Sequence, residues 1–236
     1  LKNFLNKKKN SEIGKEIIDI EIKKSYLSPT QILLLSKYAK KHKLKVGISF
    51  FSSRDLKDFK KFKFDFYKVP SPVADNFELI KKLKKINKLL FISFGGKKVN
   101  EINKIINKCN LKSKKVILMH CVSNYPVIPE NSNLGFIDYL KKKYKRNLIG
   151  YSSHDENIFN CLLVLTKKID FLERHITLDK HSKGLDHSSS SETHDIKLLN
   201  FYSENIDKIF FNKLRKNPNQ GEIINLQNLG YSYFFS

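Results

Sequence analysis

A parallel β/α barrel, incomplete at six strands, is the fold the sequence predicts, and two observations predict it. Short β-branched or aromatic runs alternate with lysine-rich amphipathic segments, a succession that gives a parallel sheet with right-handed crossovers. Polar residues also recur just past the C-terminal end of run after run. A barrel gathers such residues around one mouth, whereas a doubly wound sheet, the other arrangement open to six βα units, concentrates them at one switch point.

The runs cover residues 44–51, 64–69, 89–93, 115–119, 148–151 and 171–176. Each is short, apolar and bounded by polar segments, as a buried parallel strand requires. Between them, apolar residues return at three- and four-residue spacing. Examples are Phe77, Ile80, Leu83 and Ile86, and then Val99, Ile102, Ile105 and Ile106, so these segments are helices with one apolar face. Ser28-Pro29-Thr30-Gln31 forms a capping box with proline at the first helical position, and Asp75 is placed to cap the helix that begins near Phe77. Strict alternation of strand and helix is expected throughout.

The polar residues at the run ends are Ser52 and Arg54, Lys68 and Ser71, Ser93, His120 and Ser123, Ser152 and His154, and Glu173 and His175. His154 and His175 close neighbouring strands and can converge on one point, where two imidazoles with water and substrate oxygens suit a borderline divalent ion. Glu173 and Asp186 stand beside them. Lys68 sits inside a strand, between Tyr67 and Val69, where a solubilising lysine would be out of place. A buried cation needs an anion. Joined by the hydroxyls of Ser71, Ser93 and Ser152, it makes a site for phosphate or carboxylate. Cys121 is read as a packed residue, because its neighbour His120 must point to the opposite face of the strand. Pro126 and Pro129 shape a loop over the mouth. The run Ser188–Ser191 reads as a mobile loop with a helix cap at Ser191, preceded by Asp186 and His187, which are placed to face a substrate. Gly95-Gly96 alone is too little for a phosphate loop.

Composition removes other classes. The chain carries a formal charge of +22, but only four of its 45 basic residues are arginine (Arg54, Arg146, Arg174, Arg215). The lysines are scattered over every predicted helix with abundant Asn and Ile, as codon bias in an AT-rich genome produces. Arginine is the better reader of phosphates and bases, so solvated helix faces are expected, with no nucleic-acid partner. Cys109, Cys121 and Cys161 are odd in number and widely spaced, which fits a reducing, cytoplasmic setting. No apolar run is long enough for a membrane span. The chain opens at Leu1 in a lysine-rich helical pattern and is expected to be part of a longer product.

Five stretches together resemble the sialic acid synthase family, the N-acetylneuraminate, legionaminate and pseudaminate synthases. They are Ile48-Ser49-Phe50-Phe51-Ser52, Tyr67-Lys68-Val69-Pro70-Ser71, His120-Cys121-Val122-Ser123-Asn124-Tyr125-Pro126, Ile149-Gly150-Tyr151-Ser152-Ser153-His154, and Leu172-Glu173-Arg174-His175-Ile176-Thr177-Leu178-Asp179 followed by Gly184-Leu185-Asp186-His187. The resemblance implies a TIM-type (β/α)8 barrel that condenses phosphoenolpyruvate with an N-acyl amino sugar, such as N-acetylmannosamine, to a nine-carbon 2-keto acid with release of phosphate. By that likeness His154 and His175 hold a divalent ion, Mn2+ first and Mg2+ or Co2+ as alternatives. Lys68, Ser71, Ser93, Ser123 and Ser152 bind substrate, and Tyr125, Glu173 and Asp186 are catalytic. A homodimer is expected at full length.

The family's first two strands have no counterpart before Leu44, so six of eight strands are expected here. Residues 1–215 would be the partial barrel and residues 216–236 a linker toward an absent antifreeze-like domain. Pro72-Val73 replaces a Gly-Glu pair common in the family, which removes a carboxylate from the sugar side. On these grounds the chain alone is expected to be inactive. A phosphoenolpyruvate-dependent 3-deoxy sugar acid synthase, a non-catalytic remnant and a basic nucleic-acid-binding module are the rival readings.

Overall fold

The structure, a computed structural model, describes residues 20, 23, 26–60, 62–184, 186–210 and 217–233. The lysine-rich opening, Leu185 and Arg215 lie outside the described residues. The chain divides into two compact units, one running to Ser203 and the other starting at Glu204.

In the first unit six strands make one parallel sheet in sequence order: β1 (Gly47–Ser49), β2 (Phe66–Val69), β3 (Leu89–Ser93), β4 (Val116–Cys121), β5 (Leu148–Ser153) and β6 (Phe171–Arg174). Each pairs only with its neighbour in the series. The result is a half-barrel with helices on its outer side, the fold the sequence predicts. Among the described residues β1 and β6 are its two edges.

The helices are α1 (Pro29–Lys41), α2 (Phe77–Lys85), α3 (Val99–Lys108), α4 (Gly135–Lys143), α5 (Phe159–Thr166), α6 (Thr193–Ile209) and α7 (Gln220–Tyr233). Helix α6 spans the division between the units, and α7 falls in the tail expected to be a linker. The Ser28–Gln31 capping box forms as expected, with proline at the start of α1. At α2 the cap is Asn76, whose side chain accepts the Leu79 N–H at 3.0 Å. Helix α2 starts at Phe77, so the cap is the residue just before it, and Asp75 pairs instead with Lys97 at 2.9 Å. Alternation is also less strict than expected. Between β1 and β2 the described residues form a 3-10 helix, Asp55–Phe59, and no α-helix, and Leu56, Phe59 and Phe62 pack on the core.

The sheet's two faces build two cores. On the outer face Tyr67, Val69, Leu90, Ile92, Leu118, Ile149 and Tyr151 pack with the buried faces of α2 to α5. On the inner face Phe91, Ile117 and Met119 form a smaller cluster joined by Phe66, Leu89, Leu148 and Phe171. Phe91 meets Phe171 and Phe66 edge to face, with ring centres 4.9 and 5.3 Å apart, the arrangement that aromatic quadrupoles favour. Gly150 is required in this layer, because a Cβ there would lie 2.3 Å from the Met119 sulfur and 2.9 Å from the Phe171 carbonyl. Above this plug, toward the C-terminal ends, the inner face turns polar. Alternation then decides which side chains reach the mouth.

A candidate active site at the strand ends

Two residues beyond Phe66 on the inner face comes Lys68, and the equivalent steps on β3, β4, β5 and β6 lead to Ser93, Cys121, Ser152 and Glu173. Lys68 and Glu173 meet as an ion pair across the bowl. Ser152 Oγ donates to the same carboxylate at 3.1 Å. The anion that a strand lysine demands is, in this structure, the chain's own Glu173. Strand ends differ slightly from expectation: Ser152 lies within β5 and Cys121 is the last residue of β4, because the ladder from β4 to β5 continues to Cys121 opposite Ser152.

The serines come together. Ser71 lies in the 3-10 turn after β2, with Pro72 and Val73; its Oγ accepts the Gly95 N–H at 2.9 Å and donates to Cys121 Sγ at 3.6 Å. A Cβ on Gly95 would fall 2.1 Å from Ser123 Oγ and 2.9 Å from Ser71 Oγ, so this glycine is what lets Ser71, Ser123 and Cys121 crowd together. Ser93 Oγ, on a residue only 1 % exposed, has no hydrogen-bond partner among the described residues. An unmet buried hydroxyl costs about 1–3 kcal/mol, and it stands where a ligand oxygen can satisfy it.

His154 follows β5 and His175 follows β6, and their ring centres are 5.3 Å apart. His154 is 4 % exposed, and its Nδ1 lies 2.8 Å from the Val122 carbonyl. Nδ1–H is therefore the donor, and the Nε2 lone pair remains for another partner. Burial holds both imidazoles below the ordinary histidine range; the Val122 carbonyl at His154 and Asp186 at His175 oppose it without prevailing. Neutral imidazole is the form a metal takes. The residues present thus fit a divalent ion as two nitrogen donors. Among the described residues no group of three or more His, Cys, Asp or Glu is arranged to hold one.

Tyr125, in a cis Tyr125–Pro126 unit, lies over this pair, with its ring 4.2 Å from His154 and 6.2 Å from His175. Burial, with Cys121, Asp186 and Glu173 adding to it, pushes its phenol up to about 12. It is a hydrogen-bond donor at neutral pH. Asp186 places a carboxylate oxygen 3.9 Å from His175 Nδ1. Lys68, Ser71, Ser93, Ser123, Tyr125, Ser152, His154, Glu173, His175 and Asp186 thus lie on this bowl or its rim.

Three expectations are corrected. His120 lies within β4 and faces outward, its Nε2 2.8 Å from the Ser132 carbonyl and its ring stacked on Tyr151. Ser52 and Arg54 do follow the end of β1, in a turn where the Ser52 hydroxyl accepts the Arg54 backbone N–H at 3.1 Å. His187 turns away from the mouth: it bonds Thr177 Oγ1 at 2.7 Å and lines a separate, largely apolar cleft of about 920 Å3 with Ile176, Leu178 and Ile196. The serine run is not a free loop. Ser189, Ser190 and Ser191 are buried, and Ser191 receives Arg174 Nε–H at 2.8 Å instead of capping α6. The capping contact there is Asp195, which accepts the Glu192 N–H.

Sequence reasoning missed two mouth residues. Gly95 was set aside as half of a weak glycine pair, although it directly follows the Ser93-Phe94 strand end. Cys121 is packed, as read, but it packs on the inner face, with Sγ 3.8 Å from His154 Nδ1.

Among known proteins, the NeuB family model matches residues 2–213. The chain is 33 % identical over 179 residues to an N-acetylneuraminate-9-phosphate synthase of Drosophila melanogaster, covering 75 % of this chain and 48 % of that protein. It is 31 % identical over 153 residues to an N,N'-diacetyllegionaminic acid synthase of Campylobacter jejuni, covering 64 % and 46 %. The chain spans about half the length of these curated relatives. Its structure resembles an N-acetylneuraminic acid synthetase from Leptospira borgpetersenii, crystallised with citrate, with a TM-score of 0.75, 26 % identity, and coverage of 92 % of this chain and 75 % of that one. A truncated 3-deoxy-D-arabino-heptulosonate 7-phosphate synthase from Thermotoga maritima shares the fold at 15 % identity and a TM-score of 0.65, covering 78 % and 74 %.

Proposed function

The chain belongs to the NeuB family, and from that premise we propose that its mouth binds phosphoenolpyruvate beside an N-acyl amino sugar, as part of a synthase that joins them into a nonulosonic acid. The observation that carries this is the polar bowl itself: one inward lysine paired with Glu173, Ser152 on the same carboxylate, Ser71 and Ser123 crowded at Gly95, and a buried Ser93 hydroxyl without a partner among the described residues.

In this reading the enol carbon of phosphoenolpyruvate forms a bond to the aldehyde carbon of the open-chain sugar. Water adds to the adjacent carbon, phosphate leaves from it, and a 2-keto acid results. Lys68 neutralises the phosphate or carboxylate, and Ser71, Ser93, Ser123 and Ser152 orient it by hydrogen bonds, which are strong when the acceptor is charged. Tyr125, protonated at neutral pH, donates toward the sugar. Glu173, once its lysine is taken by the incoming anion, is left with a carboxylate able to accept a proton from water, and Asp186 faces the same space. A divalent ion, Mn2+ first among those expected, would be held by His154 and His175 and would supply Lewis acidity toward the aldehyde oxygen. The 5.3 Å spacing of two neutral imidazoles supports that assignment.

Calorimetric titration of the chain with phosphoenolpyruvate tests the proposal. Binding is expected, together with its loss in Lys68→Met and its retention in Lys82→Met, a change on the exposed face of α2. If the chain ignores phosphoenolpyruvate, or if Lys68→Met binds it as well as the parent, the reading is wrong.

A further inference from the structure

The backbone ladder from β5 to β6 ends at the pair Ser153 and Arg174. His154 and His175 are the next residues on each strand, one step past the last paired residues, where the sheet ceases to define their positions further along. The carbonyl of each is held by a loop residue. His154 receives the Val127 N–H at 2.9 Å, and His175 receives the Ser191 N–H at 2.8 Å.

One side chain joins these two anchorages. Arg174 leaves β6 on the face opposite Glu173 and spreads its guanidinium behind the bowl. Its Nε–H donates to Ser191 Oγ at 2.8 Å, the residue that holds His175. Its Nη1 donates to Ser153 Oγ at 2.9 Å and to the Asp155 carbonyl at 2.5 Å, the two residues flanking His154. The far end is rigid in turn. The buried Asp155 carboxylate accepts from Tyr151 at 2.7 Å, Ser153 at 2.6 Å and Asn160 at 2.8 Å. A planar fork with fixed donor directions can define such a spacing; a lysine ammonium on a flexible stem cannot.

We propose that Arg174 is the positioning residue that sets the distance between the His154 and His175 imidazoles, and so the affinity of the pair for a divalent ion. This rests on reading the two histidines as one binding site. Outer partners of metal-binding histidines commonly govern affinity by about 10–100-fold when removed.

The test is Mn2+ binding to the chain without substrate, followed by the paramagnetic resonance of free Mn2+, with circular dichroism recording the fold. Arg174→Lys should weaken binding about tenfold with the helical signal intact, while the exposed Arg146→Lys should bind like the parent. If Arg174→Lys does not fold, Ser191→Ala carries the test, because it removes only the Nε contact; a weakening of about threefold or more supports the proposal. Parent-like affinity in a folded Arg174→Lys, or in Ser191→Ala where that variant decides, overturns it and leaves the histidine site standing. A parent that binds no Mn2+, or a His154→Ala that binds it as well as the parent does, overturns both.

Discussion

Lys68 illustrates what single residues reveal and conceal. Its place inside a strand was readable, because an apolar run interrupted by one lysine demands an explanation. Its partner was not, since Glu173 lies 105 positions along the chain and meets it only when the sheet curls. The pairing makes a prediction at this scale. Glu173 competes for the cation that an incoming anion needs, so Glu173→Gln should bind phosphoenolpyruvate more tightly than the parent, by about fivefold, or roughly 1 kcal/mol for a partly exposed pair. Calorimetry decides it; unchanged or weaker binding would show that the carboxylate is no competitor. Gly95 and His120 were misjudged for a related reason. A glycine's value depends on what surrounds the missing Cβ, and a strand-end histidine faces in or out according to where the strand stops.

Elements were legible wherever one physical cause dominates. Residues 89–93 became β3 unchanged, and the Ser28 box capped α1, because local chemistry specifies both. Boundaries set by neighbours were less so: β4 and β5 extend each other to Cys121 and Ser152, while β1 keeps only three residues. Part of what holds that short edge strand is Asp65, whose carboxylate accepts the Val46 N–H at 2.9 Å. That bond, helped by Lys40, Lys45 and Lys88 and opposed by slight burial, holds Asp65 below the usual carboxylate range. The folded pKa is depressed, so the charge's contribution to stability is fully present above the unfolded value near ~3.9 and is lost as pH falls through the folded one. Asp65→Asn keeps an acceptor but not the charge. The stability gap between parent and variant, from urea unfolding at pH 6 and again below about pH 4, should therefore shrink in acid. A gap independent of pH would assign the effect to geometry alone.

At the scale of the whole molecule the parallel order followed from alternation, and the family from motifs gathered at one end of the sheet. The split into an inner and an outer core did not, because both faces of a parallel strand are apolar and look alike in sequence. The inner core is small. Met119→Ala there should destabilise the chain by about 2–5 kcal/mol, measured by chemical denaturation, and loosen the floor beneath Lys68 and Ser93. A cost below about 1 kcal/mol would mean that this layer is not close-packed.

The ion pair on the bowl has a wider consequence when set against the chain's charge. Inside, Lys68 is met by Glu173, and Asp186 stands at the rim, so the bowl carries no positive surplus of its own while the chain carries a formal +22. If the mouth takes an anion as proposed, that surplus would draw it from a distance toward a site whose own cation is already paired. Capture and retention are then governed by different parts of the molecule. Added salt would slow arrival at the mouth while leaving departure from it, set by Lys68 and the serines, almost untouched.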